Sequence, residues 1–76
     1  MRIVASRIDW SEIVFDLERQ GLTQREIARR CDVSGHSWVN NLKNIPGTEP
    51  RFHDGAMLLG LWVEITERDP AEAPKT

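Results

Sequence analysis

The chain has 76 residues, of which 39% are hydrophobic and 29% charged, with ten basic against twelve acidic side chains. This predicts one small domain with a modest core, and no apolar run approaches membrane-spanning length. A single cysteine excludes an internal disulfide, and a net charge of −2 counts against a nucleic-acid binder, which is usually basic.

The opening MRIVASRIDW has no apolar core of a secretory leader, so a cytoplasmic protein is expected. Residues 1–8 read as an arm or a short edge strand: Ile3, Val4 and Ile8 favour a strand, and Arg2 and Arg7 suit phosphate or solvent. A helix is predicted over 9–20. Asp9 caps it, and Glu12 stands three residues later in a capping-box arrangement. Trp10, Ile13, Val14 and Leu17 form its inward stripe, and Gly21 ends it in the left-handed position with Leu22 packing back on Leu17. Phe15 lies off the stripe and is a candidate for contact with the arm or with a second subunit.

Residues 23–43 predict two short helices joined by a tight turn. Thr23-Gln24-Arg25-Glu26 is a capping box, with Leu22 and Ile27 as its hydrophobic staple. Ile27, Ala28 and Cys31 continue the apolar stripe, which makes Cys31 a buried free thiol. Asp32 takes the left-handed end position. Ser34 is the expected cap of the second helix, starting at Gly35, with Trp38 and Leu42 inward. Gly35, His36, Ser37, Asn40, Asn41 and Lys43 then face outward or lie at the margins. Ser, His and two Asn are middling helix formers, but they can bond base edges, and Asn can pair bidentately with adenine. No carboxylate occurs between Gly35 and Asn44.

The loop 44–50, NIPGTEP, turns at Pro46-Gly47. A last helix is expected over 52–67. Its Met57, Leu58, Leu59, Leu61, Trp62, Val63 and Ile65 cover nearly two apolar stripes where a lone domain needs one. Leu58, Trp62 and Ile65 are assigned to the core; Leu59 and Val63, with Met57 and Phe15, are assigned to a homodimer interface. The tail 69–76, DPAEAPKT, is expected to be polar and flexible.

The segment Gly21-Leu22-Thr23-Gln24, Glu26-Ile27-Ala28 and Val33-Ser34, with Trp38 and Leu42 at the buried positions of the second helix, resembles the Cro/CI-type (XRE-like) helix-turn-helix regulators of phages and bacteria. The similarity covers about residues 9–66. It implies an all-α bundle of four main helices with a central helix-turn-helix, of the lambda-repressor-like kind, and a dimeric repressor on an inverted-repeat operator in double-stranded DNA. It further implies a phosphate contact at Gln24 and a loop lying along the DNA backbone, with Lys43, the Gly47 amide and Arg51 against phosphates. The full candidate DNA-binding set is Gln24, Arg25, Ser34, Gly35, His36, Ser37, Asn40, Asn41, Lys43 and Arg51. Three positions depart from the family pattern. Asp32 replaces the usual Gly of the turn, Trp38 is large for its site, and Gly35 lacks a side chain where a base contact is common.

Charge is unevenly spread. Residues 23–44 carry Arg25, Arg29, Arg30 and Lys43 against Glu26 and Asp32, whereas 9–20 carry Asp9, Glu12, Asp16 and Glu18 against Arg19. A basic face on an acidic body orients a protein on DNA. Cys31, His36 and His53 have no metal-ligand spacing, and neither a phosphate loop nor a nucleophile with its base can be assembled, so no metal, cofactor, small-molecule effector or enzymatic activity is expected. The alternative function is a small protein-binding inhibitor, of the anti-CRISPR or anti-repressor type, that keeps the helix-turn-helix. Acidic residues on the second helix would favour it.

Overall fold

Helix α1 (Trp10–Arg19) packs against α3 (Ser37–Asn44) and α4 (Phe52–Thr66), and α2 (Gln24–Arg30) packs against α3. The computed structural model describes residues 8–45 and 47–75, and among these there is no strand. The all-α, four-helix architecture expected from the sequence is what forms. The arm lies outside the described residues apart from Ile8, as does Pro46 of the turn.

Local chemistry explains the boundaries. Asp9 accepts the Glu12 N–H at 3.2 Å and so caps α1. Its box is only half made, because the Glu12 carboxylate turns instead to Arg19, at 3.4 Å. Gly21, at φ +98°, closes α1: Leu22 N–H donates to the Leu17 carbonyl at 3.2 Å and Gly21 N–H to Glu18 at 2.9 Å. That double bond pattern is a Schellman ending, which needs a left-handed residue. The Thr23–Glu26 capping box of α2 is complete. Asp32, at φ 59°, ends α2 in the same way as Gly21 ends α1, with Val33 N–H donating to Ala28 and Asp32 N–H to Arg29.

The next helix starts later than the sequence suggested. Gly35 sits at φ +84°, outside any right-handed helix, so the turn runs through Ser34, Gly35 and His36 and α3 begins at Ser37. His36 holds the cap position without a side-chain bond, and Ser34 does not cap. The inward residues are corrected accordingly: Val39 and Leu42 are buried, while Trp38 is half-buried at the core's edge.

Ile13, Val14, Leu17, Ile27, Val39, Leu42, Leu58 and Trp62 form the centre of the core. Trp62 Nε1 donates to Asp16 Oδ2 at 3.0 Å, which satisfies the one polar atom of the largest core side chain. Gly55 is set so close to Trp10 and Pro50 that a Cβ there would lie 3.1–3.2 Å from both. The tail is not loose. Pro70–Glu72 form a 3-10 turn packed on α4, Ala73 is 3% exposed, and Asp9 N–H donates to the Pro74 carbonyl at 2.8 Å beside an antiparallel bridge between Ile8 and Lys75. Part of the apolar excess of α4 is therefore covered by the chain itself. No helix among the described residues is long and apolar enough to cross a membrane.

Candidate nucleic-acid interface

On α3, Ser37, Asn40, Asn41 and Asn44 stand at i, i+3, i+4 and i+7, and all four are exposed. At 100° per residue they fall within a sector of about 100°. Val39 and Leu42 occupy the opposite side, so core burial of two aliphatic residues fixes which polar residues meet solvent. Within the stripe, Asn44 Nδ2 donates to Asn40 Oδ1 at 2.8 Å, which orients the Asn40 carboxamide and leaves its NH₂ outward-capable as a donor. Asn41 has no side-chain partner among the described residues and keeps both a donor and an acceptor.

The entrance to α3 is an open groove of about 580 Å³, lined by residues that include Arg25, Arg29, Ser34, Gly35 and His36. Arg25, Arg29, His36, Ser34 and Gly35 are exposed, and Gln24 is half-buried at the first position of α2. Arg25, Arg29, Arg30 and Arg51 take part in no ion pair among the described residues, so their charge is available to an external anion.

Lys43 is the exception in the expected set. Its ammonium pairs with Glu18 Oε1 at 2.9 Å and lies 4.7 Å from the centre of the Phe15 ring. Ser11 Oγ donates to the Lys43 carbonyl at 2.9 Å. This end of α3 is tied to α1, and Lys43 faces α1 rather than the polar stripe. The same contact alters the reading of Phe15, whose ring carries Lys43 on it and Arg19 6.0 Å away, and is 38% exposed. Phe15 is therefore a platform for cations within the chain, and its ring remains partly exposed. Arg51 is exposed at the N-cap of α4, and Gly47, exposed at φ +81°, lies in the loop before it.

No family model, curated protein or solved structure matches this chain.

The geometry adds Asn44 and Arg29 to the residues read from the sequence. Asn44 was legible as the i+7 member of a stripe beginning at Ser37, but a helix started at Gly35 hides that periodicity. Cys31 is buried as expected, and burial with Asp54 nearby pushes its thiol up to about 11, the form of an inert core residue. Among the described residues no group of His, Cys, Asp and Glu is arranged to hold a metal ion.

Proposed function

We propose that the chain is a sequence-specific DNA-binding regulator that reads base edges with α3. The observation that carries this is the exposed stripe Ser37, Asn40, Asn41 and Asn44, free of carboxylates, with Arg25 and Arg29 lining the groove at the head of the same helix and taking part in no ion pair among the described residues. A major groove about 12 Å wide admits one helix, and a bidentate amide distinguishes adenine there. Asn41 is the adenine reader, Ser37 and His36 reach neighbouring acceptors, and Asn40 donates from an orientation set by Asn44. Arg25 and Arg29 hold phosphates, which sets register and not sequence. Regulation follows by occlusion, with the bound protein covering a promoter.

Selection of bound sequences from random duplex DNA at moderate salt tests the reading. An enriched motif that is lost with Asn41→Ala supports it. Failure to enrich any sequence overturns it and favours the protein-binding inhibitor.

A further inference from the structure

Lys43 is the one charged residue of α3, and it is turned away from the exposed stripe. Glu18, which pairs with its ammonium, and Phe15, whose ring lies beneath it, both belong to α1. The side chains of Lys43 and Glu18 are only 23% and 27% exposed, so the pair is partly sheltered from salt. Ser11, also on α1, holds the Lys43 carbonyl and so fixes the backbone from which the lysine springs. The stripe of α3 that meets solvent is left uncharged. At 100° per residue Lys43 lies about 60° around the helix from Asn40. A lysine stem is long enough to cross that arc. The ammonium therefore has two partners within reach: the Glu18 carboxylate behind α3, and a phosphate beside the groove that α3 would enter.

We propose that Glu18 is an autoinhibitory contact, which holds Lys43 off DNA and lowers affinity for all sequences alike. This rests on the reading of α3 as a DNA-recognition helix. Each cation that neutralises a phosphate adds to affinity without regard to sequence. A lysine already bound to a carboxylate must leave it before meeting a phosphate, so its net contribution is small. Phe15 is a weaker hold, because a cation over a partly exposed ring is bound less firmly than one on a phosphate. Glu18 is thus the residue that decides where the charge goes. Its effect falls on the sequence-independent part of binding and leaves base reading to the uncharged Ser and Asn side chains. The chain would accordingly release non-target DNA more readily than one with Lys43 free.

Salt titrations of the full chain, on a random-sequence duplex and on the site enriched by selection, are the test. Glu18→Gln keeps the size of the side chain and removes its charge, and the helical circular dichroism should be kept. It should bind both duplexes roughly three- to tenfold more tightly and steepen the slope of log K against log salt by about one unit. Lys43→Ala should leave the slope unchanged in the wild type but remove the added unit in the Glu18→Gln background. The enriched motif should be the same for Glu18→Gln as for the wild type. A Glu18→Gln slope equal to that of the wild type, with the motif kept, overturns the autoinhibitory contact and leaves DNA reading standing; a loss of stability in urea without a change of slope would make the pair purely structural. An added unit that survives Lys43→Ala also overturns it, since the gain then comes from the lost charge on α1 and not from the lysine. Failure of both the wild type and Glu18→Gln to enrich any sequence overturns the DNA reading and this proposal with it.

Discussion

Asn40 accepts from Asn44 and so has one fixed orientation, while the Asn41 carboxamide has no side-chain partner among the described residues. Asn41→Ala should therefore weaken binding to a selected site by about 1–3 kcal/mol and relax preference at one base pair, as measured by titration on single-base variants. His36→Ala should show a loss of the same order. Cys31 offers a prediction in pH. Its folded pKa is raised to about 11, above the ordinary thiol value, so the folded state holds the proton more tightly than the unfolded chain does. Stability is accordingly intact below about pH 8.5 and falls as pH rises from there through 11, by about 2 kcal/mol at the top of the range. Urea denaturation at pH 8 and pH 10.5, on the wild type and on Cys31→Ala, isolates the effect: the pH difference should shrink in the variant.

Helices α1 and α2 end on the left-handed residues Gly21 and Asp32, and two other glycines, Gly35 before α3 and Gly60 within α4, respond differently to substitution. Gly35→Ala has open space for its methyl but keeps φ at +84°, and should cost about 1–2 kcal/mol in thermal or urea denaturation by strain at the head of α3. At Gly60→Ala the backbone is helical and the space is open, so stability of the folded chain should rise by about 0.5–1 kcal/mol. These elements also show where sequence reasoning reaches. Asp9, Gly21, Thr23 with Glu26, and Asp32 act within a few residues of themselves, so their pattern is complete in the sequence, and each is found in the expected place. Gly35 is legible as a glycine but not as left-handed, because a helix could equally have run through it. Lys43 was out of reach for another reason: its partner Glu18 is 25 positions away, and only the packing of α1 on α3 brings the two together. The order of the tail is not legible in its composition. Its polar residues and prolines do not announce that Ala73 enters the core or that α4 supplies a surface for the 3-10 turn.

Across the whole molecule, a net charge of −2 is divided so that the acidic helix α1 lies behind α3 and takes up Lys43. The groove side carries Arg25 and Arg29 against the single carboxylate of Asp32. If α3 reads DNA as proposed, the salt dependence of binding should reflect that division. Arg25→Ala and Arg29→Ala should each reduce the slope of log K against log salt by about one unit, whereas Lys43→Ala, whose charge is already neutralised by Glu18, should leave it nearly unchanged. Titrations at three or more salt concentrations read the slopes directly, and a unit change for Lys43→Ala would return it to the phosphate contacts.

The bridge from Ile8 to Lys75, with the Asp9 bond to Pro74 beside it, joins residues 67 positions apart, while the capping bonds close within a few residues. Contacts that close so long a loop carry the largest entropic cost and form late in folding. The same contacts can open first, since they hold short segments at the edge of the core. In native-state hydrogen exchange the Asp9 amide should therefore exchange by local opening, faster than the amides of Leu17 and Val39, and its rate should respond weakly to denaturant. The seam between the two ends would then be the place where the folded chain begins to breathe.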